Sequence, residues 1–187
     1  TYLAQVGSQQ ITLPIIPVSD DLSIALMMVI DHGVRFAQTA GRELAAQFAD
    51  AGVEVVVAPA TLGIPVAIEV TRALGLDDYV ILQKTRKVHL GDALEEPVHA
   101  ITSTTGAALL LDRARLAAVA GKRVLFVDDV ISSGSSSGAA LRLLERAGAE
   151  IVGIGALLAE GEGWPAALAP YADRVAVLGR IPVFPRA

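Results

Sequence analysis

The stretch from Arg123 to Gly138, RVLFVDDVISSGSSSG, constrains the fold of this chain more than any other part of it. It begins with four apolar residues, Val124–Val127, a run that is typical of a parallel strand buried on both faces. Two acids follow, and then a small loop rich in serine and glycine leads into an apolar pattern that is typical of a helix and stops at Gly148. The stretch therefore predicts a strand, a loop and a helix in succession.

The loop of this stretch has the chemistry of an anion site. Backbone N–H groups at the start of a helix favour negative charge, Gly134 lets the backbone approach a ligand closely, and the serines supply neutral donors. Asp128 and Asp129 would repel a phosphate, so we expect them to face sugar hydroxyls or a hydrated Mg²⁺. A phosphorylated sugar with free hydroxyls satisfies both halves of the stretch.

Length and composition favour one α/β domain, which we predict to span 1–187. Apolar residues make up 53% of the chain and aromatic residues only 4%, a balance that suits a sheet with helices on both faces. The net charge is −5 and there is no basic run, so we expect no nucleic acid partner.

Features that the sequence lacks limit its chemistry, although the lack of cysteine does not fix the compartment. There are no cysteines, which excludes disulfides and thiolate metal sites. We find no signal segment at the amino terminus and no apolar run of the roughly 18 residues that a membrane span needs. We therefore expect a cytoplasmic protein with no membrane partner.

The rest of the chain alternates between strand and helix patterns. β-branched and apolar runs predict strands at 53–58, 79–83, 107–111, 151–158, and 175–178. Amphipathic patterns predict helices at 34–50, 65–75, and 112–121. Residues 22–30 are apolar throughout and fit a strand or a helix equally well.

Two further segments follow predicted strands at their carboxyl ends, where open α/β sheets bind ligands. One is the loop Ala60–Gly63, and the other is the run Lys84-Thr85-Arg86-Lys87. Lysine is an ordinary phosphate ligand, so cations beside a predicted phosphate site favour a binding role. We therefore expect both segments to border the site at Asp128.

The stretch at Val124–Ser136 resembles the phosphoribosyl pyrophosphate signature of type I phosphoribosyltransferases, and all thirteen positions fit. The chain as a whole is more weakly similar to the purine branch, of the adenine and xanthine type. The resemblance implies the type I fold, with a central, mostly parallel sheet flanked by helices, a small amino-terminal hood and a mobile loop. It also implies Mg²⁺ as cofactor, a homodimer, and phosphoribosyl pyrophosphate and a purine base as substrates.

The resemblance assigns roles to particular residues of this chain. The 5-phosphate would bind Ser132, Ser133, Gly134, Ser135 and Ser136. The catalytic pair would be Asp128 and Asp129, which would hold the ribose hydroxyls and also Mg²⁺, through water. The pyrophosphate would bind Lys84, Lys87, Thr61, Leu62 and Gly63. The loop Ala60–Gly63 departs from the adenine enzymes, which carry an arginine where Leu62 stands.

The hood, the mobile loop and the base site are also expectations from the resemblance. The hood would be 1–32, and its residues Val29 and Ile30 would contact the purine base. The loop that closes over the substrate would be 88–105. Where adenine enzymes have Glu-Tyr-Gly, this loop has Thr104-Thr105-Gly106. His99, Glu95 or Glu96 are the candidates for the acid that this change removes.

Glu160 bears on which base would bind. Enzymes of the xanthine type carry a lysine at the similar position, which donates to a carbonyl oxygen of the purine. An ionised glutamate accepts instead, so it favours the exocyclic amine of adenine. The other interpretation is that Glu160 faces solvent beside Glu162 and contacts no base. We expect adenine to be slightly favoured.

Other functions read from the same residues fit less well. Gly134–Gly138 spells the hydrolase motif G-x-S-x-G, but His32, His89 and His99 all lie upstream, whereas that family needs a later histidine. Gly161–Ala166 spells part of a dinucleotide motif, which we interpret as a turn because Pro165 interrupts it.

The alternative function is that of a regulator that binds phosphoribosyl pyrophosphate without catalysis. Such regulators usually add a basic DNA-binding segment, for which we see no room before Val53.

Overall fold

The structure is a computed structural model that describes residues 1–99 and 106–186. The strands in chain order are β1 (Tyr2–Val6), β2 (Gln9–Leu13), β3 (Ile15–Pro17), β4 (Leu22–Ala25), β5 (Val55–Pro59), β6 (Tyr79–Leu82), β7 (Ala93–Pro97), β8 (Ala108–Asp112), β9 (Arg123–Ile131), β10 (Glu150–Glu160), β11 (Val175–Ile181) and β12 (Val183–Pro185). The α-helices are α1 (Gly33–Ala46), α2 (Gly63–Ala73), α3 (Ser135–Arg146) and α4 (Trp164–Ala167).

A five-stranded parallel sheet forms the centre, in the order β11-β10-β9-β5-β6. The apolar runs of β5 and β9 are buried because helices cover both faces of the sheet. Side chains of α1 and α2 pack on one face, and those of α3 pack on the other. The predicted α/β class and the central parallel sheet flanked by helices are confirmed.

Helix α1 and the turn after it pack on the sheet at two glycines of β10, which have no side chains. A Cβ atom at Gly153 would lie 2.5 Å from a ring carbon of Phe48, and one at Gly155 would lie 3.1 Å from Leu44. These glycines leave room for the two large side chains, which are both buried. Burial of each such side chain stabilises the fold by about 1.5–3 kcal/mol.

Strand β10 continues two residues past the predicted end at Leu158. Its last residues pair with β11, with Ala159 opposite Arg180 and Glu160 opposite Ile181. The apolar pattern stops before Glu160, whereas backbone pairing does not depend on the side chain and continues through this residue. The helix predicted at 34–50 is shorter than expected, since α1 ends at Ala46 and turns follow.

A second small sheet orders the ambiguous segment 22–30. Its first part is β4, which pairs with β3 and with β12, and Val29–His32 then forms a 3-10 helix. The segment is therefore neither one strand nor one helix. The hairpin of β1 and β2 lies against the edge of the central sheet, where Gly7 N–H donates to Leu178 O at 2.9 Å.

The long loop expected at 88–105 contains regular structure. Val88–Leu90 is a 3-10 helix, and β7 pairs antiparallel with β8 from Ala93↔Asp112 to Pro97↔Ala108. Glu95 and Glu96 interrupt the apolar pattern of β7, which hides the strand from an apolar pattern search. The remainder of the expected loop, 100–105, lies outside the described residues, and so do Thr104 and Thr105.

Candidate active site

A polar pocket opens at the carboxyl end of β9. It is lined by Lys84, from the segment after β6, and by the continuous run Asp128–Ser137. The sheet order places β5 between β6 and β9, so Lys84 reaches across one strand to the pocket. The structure therefore brings together most of the residues predicted for the phosphoribosyl half of the site, namely Lys84, Asp128, Asp129, Ser132, Ser133, Gly134, Ser135 and Ser136.

The serine loop turns through Gly134 into helix α3. Gly134 has φ +79°, a left-handed conformation that residues with a side chain rarely adopt. A Cβ atom there would lie 2.7 Å from Cβ of Ala167, so α4 leaves no room for one. Ser135 N–H donates to Ser133 Oγ at 3.3 Å. The turn leaves the amino-terminal end of α3 at the pocket, where it favours an anion.

The acidic pair has one buried and one half-buried member. Asp128 is 8% exposed, and its Oδ1 accepts from the backbone N–H of Asp129 at 2.9 Å. Burial raises the pKa of Asp128 well above its ordinary value, the charge of Asp129 raises it further, and Lys84 opposes both effects. A cation or a hydroxyl donor that reaches this pair would relieve the cost of the buried charge.

The residues present fit a hydrated Mg²⁺. This ion usually keeps several waters and takes one or two carboxylates together with oxygens of a phosphorylated substrate. Asp128 and Asp129 supply that carboxylate share beside the serine loop. Among residues 1–99 and 106–186, no group of three or more His, Cys, Asp or Glu side chains could hold a metal by itself.

The loop after β5 borders the acidic pair, as expected. A Cβ atom at Gly63 would lie 3.4 Å from Oδ1 of Asp128, and the bond joining Ala60 to Thr61 is a cis peptide. Thr61 is exposed, whereas Leu62 packs against the core under α1 and α2.

Three other predicted residues lie apart from the polar pocket. Lys87 is exposed on the segment after β6, and the pocket lining described above does not include it. Val29 is buried and Ile30 is 58% exposed, and both line a separate apolar hollow beside Val34 and Pro65. The hollow lies where α1 and α2 begin.

Glu160 is buried at the end of β10, only 7% exposed, and its Oε2 accepts from Ser132 Oγ at 2.7 Å. The interpretation that it faces solvent is wrong, because β10 continues to this residue and Ile131 of β9 lies opposite Ala159. The sequence analysis missed this link between the serine loop and the neighbouring strand. It also missed Ser137, which lines the pocket and is 2% exposed.

Comparison with known proteins identifies the family. The family model for the phosphoribosyl transferase domain matches residues 31–176. The chain belongs to this family. Its relatives include the hypoxanthine/guanine phosphoribosyltransferase of Methanococcus voltae, which is 33% identical over 61% of this chain and 57% of that protein. The xanthine phosphoribosyltransferase of Laribacter hongkongensis is 27% identical over 68% of this chain and 67% of its own length.

A third relative and two solved structures extend the comparison. The orotate phosphoribosyltransferase of Desulforamulus reducens is 29% identical over 72% of this chain and 59% of its own length. The chain thus spans between 57% and 67% of these three curated relatives. Adenine phosphoribosyltransferase of Thermoanaerobacter pseudethanolicus has a TM-score of 0.75 at 19% identity, covering 90% of this chain and 95% of that one.

The APRTase of Giardia lamblia, solved with 9-deazaadenine, has a TM-score of 0.74 at 22% identity and covers 90% of this chain and 93% of that one. At such identities these structures establish the fold alone. They agree with the type I fold that the signature at Val124–Ser136 indicated.

The acids proposed for the lid of this phosphoribosyl transferase domain are already engaged. Glu96 is buried and accepts from Arg142 Nε at 2.7 Å and from Arg146 Nη1 at 2.8 Å. Glu95 accepts from Arg86 Nη2 at 2.7 Å. Both carboxylates are therefore ion-paired in this arrangement, and a role for Glu95, Glu96 or His99 as the acid of the lid stays a prediction.

The hydrolase interpretation also fails on geometry. The residues that line the pocket around Ser136 include no histidine, and His32 instead lies against Phe36, with 5.2 Å between the ring centroids. Without the histidine that this motif requires, the serine is not activated as a nucleophile. Within the described part of the chain, no helix is both long and apolar enough to cross a membrane.

Proposed function

We propose that this phosphoribosyl transferase domain transfers the phosphoribosyl group of 5-phosphoribosyl 1-pyrophosphate to a purine base and releases pyrophosphate, as in purine salvage. The observation that carries the proposal is the pocket at the end of β9, which combines an anion-binding loop, an acidic pair with one buried member, and Lys84. Family membership and the purine and xanthine relatives support the same reaction.

The phosphoribosyl half of the substrate matches this pocket group by group. The 5-phosphate binds the serine loop and the start of α3, where N–H and O–H donors converge. Asp128 and Asp129 accept from the ribose hydroxyls and balance the positive charge that develops at C1 as the bond to pyrophosphate breaks. Mg²⁺, when bound, neutralises charge on the leaving pyrophosphate.

The protein contributes position and exclusion of water more than covalent chemistry. Lys84 lies beside the pocket and supplies a cation for the pyrophosphate. Lys87 and the loop Thr61–Gly63 remain candidates for the same group. The segment 88–105 is proposed as the lid and 1–32 as the hood, within one domain over 1–187.

Base preference is proposed from Glu160. Oε2 of its buried carboxylate accepts from Ser132, and Oε1 can accept from a ligand. The carboxylate therefore favours a base with an exocyclic amine that donates to it. We propose adenine as the slightly favoured base, with Val29 and Ile30 on the hood side. Turnover of each base by the wild type and by Glu160→Lys tests this preference. A wild type that prefers xanthine, or a variant with an unchanged base profile, removes Glu160 from the argument.

A binding protein without turnover is the second candidate, because the acid expected in the lid is missing and Glu95 and Glu96 are engaged. The deciding experiment supplies phosphoribosyl pyrophosphate, Mg²⁺ and each of adenine, guanine, hypoxanthine, xanthine and orotate. Base-dependent release of pyrophosphate supports the transferase. Binding of phosphoribosyl pyrophosphate without release with any base supports the regulator.

The Asp128→Asn/Asp129→Asn double variant is the control for that assay, since it should fold and yet release no pyrophosphate. The homodimer that the resemblance implies is proposed alongside the reaction and is tested by sedimentation. The cytoplasmic location remains a prediction from the sequence.

A further inference from the structure

A side-chain hydrogen bond joins the serine loop to the neighbouring strand. Ser132, the first residue after β9, donates from Oγ to Oε2 of Glu160, the last residue of β10, at 2.7 Å. Backbone pairing between these two strands ends one residue earlier, where Ile131 lies opposite Ala159. The side-chain bond therefore extends the contact between β9 and β10 by one position, into the loop that lines the polar pocket.

The other side-chain hydrogen bonds of the serine loop stay within the loop. Ser133 Oγ donates to Ser135 Oγ at 3.0 Å, and Ser135 N–H donates to Ser133 Oγ at 3.3 Å. Within residues 1–99 and 106–186, the bond to Glu160 is the only side-chain hydrogen bond that ties a serine at 132–137 to another element. This bond is therefore the polar constraint that sets the start of the loop against β10.

The same bond limits what the hydroxyl of Ser132 can do for a phosphate. A serine hydroxyl has one proton to donate, whereas a carboxylate and a fully ionised phosphate only accept. While Ser132 donates to Glu160, its hydroxyl therefore cannot donate to a phosphate as well. In this arrangement Ser132 acts on a phosphate through the shape of the loop, and the donors are the other serines and the backbone N–H groups.

Burial makes Glu160 depend on Ser132 in return. Glu160 is 7% exposed, whereas Ser132 lies at the surface of the pocket and is exposed. In the part of the chain that the structure describes, no ion pair includes Glu160, and Ser132 is its side-chain donor. A buried carboxylate without a donor is unfavourable, so the hydroxyl and the carboxylate fix each other in place.

We infer that Glu160 is a positioning residue for the phosphate site, which acts by holding Ser132 and with it the start of the serine loop. The inference rests on the proposed binding of the 5-phosphate in the polar pocket, and it gives Glu160 a role separate from base preference. The negative charge of Glu160 has an opposing effect, because it repels an anion near the loop. Positioning predicts weaker phosphate binding when the bond is removed, whereas repulsion predicts tighter binding.

Ribose 5-phosphate, titrated by calorimetry, tests the phosphate site without a base and without turnover. We expect Ser132→Ala and Glu160→Ala each to raise its Kd about tenfold, the factor that one hydrogen bond to a charged group contributes. Glu160→Gln keeps an amide oxygen that can accept from Ser132, so its Kd should stay within about threefold of wild type. The double variant Ser132→Ala/Glu160→Ala should bind no more weakly than either single variant, because the same bond is lost in all three.

Tyr171→Phe is the matched control. It removes another bond from a hydroxyl to a carboxylate, between Tyr171 and Glu145 of α3, which is exposed and outside the pocket lining, so the Kd should not change. Urea unfolding checks that each variant is folded, and Ser132→Ala alone carries the test if Glu160→Ala does not fold, because Ser132 is exposed. In the transfer assay, Ser132→Ala should raise KM for phosphoribosyl pyrophosphate about tenfold and leave KM for the base within about twofold.

Four results would overturn the inference. They are no binding of ribose 5-phosphate to wild type, an unchanged Kd in Ser132→Ala, tighter binding in both Glu160 variants, and losses that add in the double variant, which would mean that Ser132 contacts the phosphate directly. Failure of the proposed reaction gives a different outcome. If the expected pattern of Kd values is found but no base releases pyrophosphate, the transferase fails and the positioning role of Glu160 is supported.

Discussion

The buried carboxylate of Glu96 ties the hairpin of β7 and β8 to helix α3, and its removal should loosen that contact. Arg142 Nε donates to Oε1 at 2.7 Å and Arg146 Nη1 donates to Oε2 at 2.8 Å. Arg146 also donates to the backbone oxygen of Glu95 at 2.8 Å. Because α3 begins at the serine loop, this contact also connects the hairpin to the candidate phosphate site.

Exposure sets the size of the effect. The Glu96 side chain is 11% exposed and the two arginines are about half exposed. Fully exposed pairs contribute about 0.2–1 kcal/mol, whereas breaking a fully buried pair costs about 3–5 kcal/mol. We expect Glu96→Gln to lower the free energy of unfolding by about 2 kcal/mol. For a chain of this size that is a fall in Tm of about 4–8 °C.

The effect should depend on pH with a definite sign. Hydrogen bonding from Arg142 holds the pKa of Glu96 below its ordinary value, burial opposes this, and Arg146 adds to the lowering. A carboxyl whose pKa is depressed in the folded state stabilises that state above its unfolded pKa, about 4.3 for glutamate, and the contribution is lost as pH falls through the folded value. The difference between wild type and variant should therefore be constant from pH 6 to 8 and shrink below about pH 4.

Urea unfolding at pH 7 and at pH 3 measures this, with Glu95→Gln as the control. Glu95 lies on the same strand, and its pair with Arg86 is half exposed, so its loss should cost under about 1 kcal/mol. Equal unfolding free energies for the two variants at pH 7, or a difference that grows on acidification, would refute the reasoning.

Three further predictions concern the polar pocket and the lid. Gly134→Ala should lower the free energy of unfolding by about 1–3 kcal/mol and weaken binding of phosphoribosyl pyrophosphate, because Gly134 has a positive φ and a Cβ there would meet Ala167. Gly138→Ala is the control in urea unfolding. A Cβ there meets nothing closer than 3.5 Å, so this variant should be neutral or stabilising. Equal losses of unfolding free energy in the two variants would contradict this. Asp128→Asn keeps the oxygen that accepts from Asp129 N–H, so Tm should hardly fall while pyrophosphate release is lost. A variant that is destabilised yet keeps its activity would show that Asp128 has a structural role and no catalytic one. Replacing 100–105 by a Gly-Gly link should leave Tm unchanged and slow turnover in a steady-state assay. Near-normal turnover would contradict the proposal that this segment is a lid.

Two larger changes to the same regions would be harder to interpret. Deleting Gly91–Thr102 would remove β7 and Glu96 together with the lid, so slow turnover would not distinguish a lid from a damaged hairpin. Valine at Gly134 would meet α4 as well as strained backbone, so weaker binding would not distinguish a blocked phosphate loop from a damaged fold. The narrower replacements above avoid both problems.

Local chemistry explains why the centre of the fold was predictable. Buried parallel strands have continuous apolar runs, so β5 and β9 are visible in the sequence, and the acid pair and serine loop follow β9 without a gap. The helix after the loop was equally visible, since its buried leucines recur at helical spacing. Strand β7 was missed because its two acids break the pattern, one of them buried by arginines that lie about fifty residues later.

Contacts between strand ends depend on register, and no local pattern reports register. Ser132 and Glu160 are 28 residues apart, and they meet only because Ile131 of β9 stands opposite Ala159 of β10. A shift of one residue would turn Glu160 to the other face of the sheet, where the solvent interpretation would have been reasonable. Apolar runs therefore located the serine loop, whereas the buried acid beside it required the paired backbone. Glu160, from which the base preference is proposed, belongs to this second group because it stands at the end of a neighbouring strand.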